Sequence, residues 1–159
     1  MPASHDENAR TDAVRALENE FSVIARRYRE VVATLAHRLS EGMLPGTYRV
    51  LTTIARHGPV TASALAEELA ADKAFISRAV RELESLGLIQ REPDPQDGRA
   101  FLLSTTPDGA ARLETVRTGY NGQMARTLAT WELADIRRLT HLLRSLAAGT
   151  TPEHDGATL

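Results

Sequence analysis

Two helix-patterned segments separated by only two or three residues constrain this chain more than any other feature. Thr61 is placed to cap a helix over residues 62–70, with Leu65 and Leu69 turned inward. Asp72 is placed to cap the next, from Lys73 to about Leu86, where Gly87 supplies the left-handed residue that commonly ends a helix. So short a connection implies a helix-turn-helix. In the second helix Ile76, Ala79, Val80 and Leu83 recur at helical spacing and should face a core. Lys73, Ala74, Ser77, Arg78 and Arg81 then fall on or beside the opposite face.

Residues 88–92 and 99–105 read as two strands, rich in large apolar and β-branched side chains. Pro93, Asp94, Pro95, Asp97 and Gly98 make a polar turn too long for a tight hairpin, hence a projecting wing with Arg99 near its tip. A helix of this kind can enter a DNA major groove while the wing reaches an adjacent minor groove, whose narrow A·T-rich form attracts a guanidinium. Arg78 can donate two hydrogen bonds to guanine or clamp a phosphate, with Ser77 beside it. Lys73, the chain's one lysine, sits at a helix N-terminus, where a cation is unfavourable unless a phosphate faces it. The DNA-binding candidates are therefore Lys73, Phe75, Ser77, Arg78, Arg81 and Arg99, with Asp97 and Gly98 orienting the wing. Phe75 equally fits packing beneath the wing. The plainer readings are an Arg78–Glu82 pair on a solvated helix face and an Arg99–Asp97 pair in the hairpin.

Long amphipathic segments flank this module. Leu17, Phe21, Ile24, Tyr28, Val31, Leu35 and Leu39 are spaced by four and three throughout, and Gly42 and Pro45 end the pattern. Tyr48, Leu51, Ile54 and Ala55 mark a short helix closed by Gly58-Pro59. Thr106-Pro107 opens a helix carrying Leu113, Val116, Tyr120, Met124 and Leu128. A last one, from near Thr130 to Gly149, carries Leu133, Ile136, Leu139, Leu143 and Leu146.

The fold class is all-α with a small β-wing: six helices and a two-stranded hairpin. A single 159-residue chain has too little core to cover the first and last stripes, which implies an intertwined homodimer. The expected organisation is a disordered tail over 1–10, a helical dimerisation region over 11–42 and 107–149, a winged helix-turn-helix over 45–106, and a disordered tail over 150–159.

Composition excludes several classes. Aromatics at 4% disfavour a sugar-stacking or single-strand base-stacking surface. The absence of cysteine excludes disulfides, thiolate metal sites and a thiol-based oxidant switch. No apolar run approaches the ~20 residues that span a bilayer, and residues 1–10 do not read as a signal sequence, so a cytoplasmic protein without a membrane partner is expected. His5, His37, His57, His141 and His154 show no metal-ligand spacing, and no nucleophile–base order or phosphate loop stands out. No metal, cofactor or catalytic residue is expected. The net charge of −2 runs against a nucleic-acid binder. The cations Lys73, Arg78, Arg81, Arg91 and Arg99 must therefore share one face, with Glu82, Glu84, Glu92, Asp94 and Asp97 on another.

In order, HGPVTASALAEEL, ISRAVRELESLGLIQR, DPQDGRA and TPDG resemble the MarR (multiple antibiotic resistance regulator) family of winged helix-turn-helix repressors, over roughly residues 15–148. The resemblance implies an obligate homodimer interlocked through its first and last two helices. It implies two recognition helices in successive major grooves of a pseudopalindromic double-stranded operator, with wing arginines in the flanking minor grooves. It also implies release by a small aromatic or phenolic effector bound between the dimerisation helices and the winged domain. Tyr28, His37, Tyr48 and His57 are the candidate lining of such a pocket, against a plainer reading as core tyrosines and helix-end histidines. The chain departs from the pattern at Gly98, where a second wing cation is common, at Arg81-Glu82, where acid-then-arginine is frequent, and at Thr105, usually leucine. Two rival readings are a winged-helix module for protein–protein contact and a ligand-binding helical protein without DNA affinity.

Overall fold

The computed structural model describes residues 3–98 and 100–152, with side chains from residue 6 onward save 121–123. Arg99 and the tail over 153–159 lie outside the described residues. In chain order the elements are α1 (Ala3–Leu39), α2 (Pro45–His57), β1 (Val60–Thr61), α3 (Ala62–Glu68), α4 (Lys73–Ser85), β2 (Ile89–Pro93), β3 (Phe101–Thr105), α5 (Pro107–Leu128) and α6 (Leu133–Ala148). Contacts gather them into two units, residues 1–117 and 118–159, with the boundary inside α5.

The first unit has its core where α2 meets α1, α3, α4 and the sheet. Leu51, Ile54, Leu65, Ile76, Leu83 and Leu88 are its largest fully buried side chains. The α1 stripe divides in two. Val32, Leu35, Ala36 and Leu39 are buried, whereas Val14, Leu17, Phe21, Ile24 and Tyr28 stand exposed at spacings of three and four. One periodic stripe thus serves the subunit core at its C-terminal end and leaves an uncovered apolar face further up. The helix also starts at Ala3, so residues 3–10, read from sequence as a tail, continue it. No glycine or proline interrupts the run, and Asp6 lies in the first turn, where the helix dipole favours an acid.

The sheet has three strands in the order β1-β3-β2, one more than the expected hairpin. Val60 pairs with Leu103 and Thr61 with Leu102, both antiparallel. Two residues are too few to show the alternation that reveals a strand. β2 and β3 pair in register from Ile89↔Thr105 to Pro93↔Phe101, and Ala100, read from sequence as part of the second strand, lies before it.

Both helix-turn-helix helices end the same way. After α4, Gly87 is left-handed at φ 68°, its N–H bonds Glu84 O at 2.9 Å, and Leu88 N–H bonds Leu83 O at 2.9 Å. After α3, Ala70 takes the equivalent place at φ 47°, with Ala70 N–H on Glu67 O at 3.1 Å and Ala71 N–H on Ala66 O at 2.9 Å. This double hydrogen bond requires a left-handed residue, and alanine pays for it in Cβ crowding. α3 therefore closes at Glu68, two residues before the sequence pattern fades. Ala70→Gly should relieve that crowding and raise stability by about 0.5–1 kcal/mol, or about 1–4 °C in Tm at fixed protein concentration. A lower Tm would show that the left-handed turn is not the stable form.

In the second unit, α6 opens after Glu132 and ends at left-handed Gly149 (φ 65°), with Thr150 N–H on Ser145 O at 2.9 Å. Leu133, Leu139, Leu142, Leu143 and Leu146 are all exposed. Among the described residues, no helix is long and apolar enough to cross a membrane.

Candidate nucleic-acid interface

The helix-turn-helix is built to present one face of α4. Thr61 Oγ1 accepts from Ala64 N–H at 3.2 Å and caps α3; Asp72 Oδ1 accepts from Ala74 N–H and caps α4. Ile76, Ala79, Val80 and Leu83 anchor α4 in the core, each 5% exposed or less. Lys73, Ala74, Ser77, Arg78 and Arg81 are all exposed.

These side chains are in different states. Glu82, the sequence partner for Arg78, instead accepts a 3.0 Å hydrogen bond from the buried Thr47 hydroxyl on α2. Among the described residues, no ion pair holds Arg78. Arg81 folds back along its own helix, its Nε donating to Ser77 O at 3.2 Å and its Nη2 to Ser77 Oγ at 3.4 Å. Ser77 and Arg81 thus form one polar unit.

Phe75, named among the DNA-binding candidates, also has a packing role. Its half-buried ring lies against Gly46, close enough that a Cβ there would meet Phe75 Cζ at 2.7 Å. It packs on the first turn of α2, and the glycine makes room for it. The ring therefore packs within the subunit while remaining half-exposed.

Asp94 takes part in closing the wing, a role not singled out from sequence. Asp94 Oδ1 accepts from Gln96 N–H at 2.8 Å, and Asp94 N–H bonds Ala100 O at 3.0 Å. Asp97 contributes its carbonyl, which accepts from Ala100 N–H at 2.9 Å. Gly98 needs no left-handed backbone, and a Cβ there would meet open space, so the turn does not demand glycine. Arg99 lies outside the described residues. Between α4 and the wing runs a groove of about 470 Å³ lined by Lys73, Ser77, Arg91, Asp97 and Phe101, among others.

Arg91 does not join the cationic face as its position in sequence suggested. Its guanidinium forks onto Glu84 of α4, with Nε to Oε1 at 2.6 Å and Nη2 to Oε2 as the second bond. It also lies over the Phe101 ring, 5.6 Å from the centroid. The Glu84 hydrogen bonds raise the Arg91 pKa further above its ordinary value.

A second junction joins α4 to α5. Thr106 Oγ1 donates to Gly87 O at 2.6 Å and accepts from Gly109 N–H at 2.9 Å, while Thr106 N–H bonds Leu88 O at 3.1 Å. Gly109 is pressed so close that a Cβ would sit 2.0 Å from Leu88 O. The TPDG segment is therefore a weld between the end of α4 and the start of α5. On the same helix, Arg112 Nη2 donates to Leu39 O at 2.8 Å, capping the end of α1. The sequence reading named Thr106 only as a cap and did not single out Arg112, whose partner is distant along the chain.

The four pocket candidates stand in different surroundings. Tyr48 is buried, and its hydroxyl pKa is raised by that burial, lowered by nearby Arg117 and raised by Tyr28. Tyr28 and Arg117 are thus near enough to act electrostatically on the Tyr48 hydroxyl, and Arg117 was not singled out from sequence. His57 is nine residues along α2 from Tyr48, a rise of about 13 Å, and faces Glu68 of α3 at 3.2 Å. His37 is exposed, and no hydrogen bond or ion pair among the described residues joins it to the tyrosines. Among the described residues, no three His, Asp or Glu side chains cluster to hold a metal ion.

Helix-turn-helix, wing and exposed cationic helix face define a winged helix-turn-helix protein. A family model described as MarR family matches residues 41–100. The multiple antibiotic resistance protein MarR of Salmonella typhimurium is 31% identical over 100 residues, covering 62% of this chain and 69% of that protein. A protein of Thauera aromatica, provisionally described as the transcriptional regulatory protein for its hcr operon, is 38% identical over 77 residues, 48% of this chain. The chain spans about half the length of that relative, 46%. Streptococcus pneumoniae FabT, solved in complex with DNA, superposes with a TM-score of 0.67 over 84% of this chain and 96% of its own at 16% identity, a likeness of fold. The chain belongs to the MarR family.

Proposed function

We propose that the chain is a homodimeric transcriptional regulator that binds a pseudopalindromic double-stranded operator and is released by a small aromatic or phenolic effector. The observation that carries this reading is the exposed Lys73–Ser77–Arg78–Arg81 face, which forms no ion pair among the described residues and is set beside a wing across a groove. Lys73 takes a phosphate, Arg78 reads a base edge, and Arg99 enters the flanking minor groove. Binding without chemistry suffices, and the cytoplasm is the compartment in which such a regulator meets DNA.

Dimerisation is supported by the uncovered apolar faces of α1 and α6. Burying each large side chain there would contribute roughly 1.5–3 kcal/mol. Regulation follows from the weld at Thr106 and Gly109: a displacement of α5 is transmitted to the end of α4 rather than absorbed by a loose loop. An effector that favours a dimer with differently spaced α4 helices shifts the population away from DNA. Tyr28 and Tyr48, with Arg117, support an aromatic anion site better than a set including His57 does.

Selection of bound duplexes from a random pool, repeated with aromatic acids, tests this. Affinity for the selected site should fall with salt, with a log–log slope of about −0.9 for each phosphate neutralised. No enriched sequence, or affinity indifferent to salt, would defeat the reading and favour a protein-contact role for the module.

A further inference from the structure

The outer wing has little apolar support. Ile89 is 3% exposed, but Gln90, Arg91, Glu92 and Pro93 are exposed, and Phe101 opposite them is 46% exposed. β1 braces β3 only at Leu102 and Leu103. Beyond that point a two-stranded ribbon held by its own ladder would swing freely. The Arg91–Glu84 fork supplies what packing does not. Arg91 and Glu84 are partly sheltered, at 40% and 27% side-chain exposure, and the fork spans from β2 to the last turn of α4. The register sets Phe101 diagonally across from Arg91 on the same sheet face, so the ring supports the guanidinium while the carboxylate holds it. Arg91 and Phe101 both line the groove between α4 and the wing.

We infer that the Glu84–Arg91 pair is a positioning brace that fixes the reach from the major-groove helix to the minor-groove wing, and so sets how strongly sequence flanking the half-sites contributes to operator choice. The inference rests on the DNA-binding reading above and adds a specificity-determining pair that touches no base. A duplex presents its major and minor grooves on either side of one sugar-phosphate strand, so the two readers must be held apart by a fixed span. A wing that swings still contacts phosphate but loses the alignment that discriminates a narrow minor groove. Arg91 acts through Glu84, because the Nε–Nη2 edge of its guanidinium is committed to that carboxylate.

The test compares full-length Glu84→Gln, Arg91→Lys and the exchanged pair Glu84→Arg/Arg91→Glu with wild type, on one selected site carrying A·T-rich or G·C-rich flanks. Each single variant should lower the A·T-over-G·C preference by about threefold to tenfold, leaving G·C-flanked affinity within about twofold, and the exchange should restore most of the preference. Hydrogen exchange of the free proteins should show faster wing amides in the single variants with the α4 amides unchanged. Equal loss on both flanks with a lowered Tm would reduce the pair to a stabilising contact and overturn the proposal. Tighter binding of Glu84→Gln to every duplex would also overturn it, since that is the sign expected if freed Arg91 grips phosphate. A wild type that binds no duplex would refute the DNA reading, whereas a wild type that binds with an unchanged flank ratio in the variants refutes the brace alone.

Discussion

Replacing Arg78 by alanine is expected to weaken operator binding by about 2–6 kcal/mol per dimer, taking about 1–3 kcal/mol for each bidentate base contact and two recognition helices on one site. The loss is large because, among the described residues, no ion pair competes for the side chain: Glu82, the acid one turn away, is held by Thr47. For the same reason Tm should stay within about 0.5 kcal/mol equivalent, as for other exposed surface changes. Titration of the variant against the selected site and single-base variants of it checks both parts. The site preference should relax at one base pair in each half-site. A loss uniform across all sequences would move Arg78 onto a phosphate, and unchanged affinity would remove it from the interface.

Gly109→Ala is expected to have the largest effect on the subunit itself. The added Cβ would meet three backbone atoms of Leu88, at 2.0, 2.7 and 2.8 Å, so no side-chain rotation can make room. Either the start of α5 or the strand after Gly87 must shift, which breaks the Thr106 hydrogen bonds to Gly87 and Leu88. A destabilisation of about 3 kcal/mol or more follows, or about 6–12 °C in Tm. Operator affinity should fall even where the variant remains folded, because α4 loses its fixed register with α5. Thr106→Val, which keeps the shape and removes the hydroxyl, should lose about 1–2 kcal/mol and show the same coupling. A Gly109→Ala variant as stable as wild type would show that the α4–α5 junction is loose.

Much of the fold was legible because its signals are local. Caps at Thr61 and Asp72, the left-handed Gly87 and the Thr106-Pro107 start fixed four boundaries to within a residue or two. β1 was not legible, since two residues carry no period and its partner, Leu102–Leu103, lies some forty residues away. The same limit hid the functional pairings. Arg91 looked like one more cation of a basic patch until Glu84 was placed beside it. Phe75 looked available to DNA because its packing partner is a glycine, which offers no apolar side chain to suggest contact. Tyr48 and His57 share a helix but have different neighbours, Arg117 and Tyr28 for the first and Glu68 for the second, none of which the local sequence reveals.

The account turns on two copies of α4 presented to one duplex at a fixed separation. Its most direct measurement is affinity for a selected palindrome whose half-sites are pushed apart by five base pairs, with the mass of the complex read alongside. The account predicts two chains on the unaltered duplex and a loss to nonspecific affinity on the lengthened one, because half a helical turn puts the second groove on the far side. One chain per duplex, or affinity indifferent to the insertion, would contradict it.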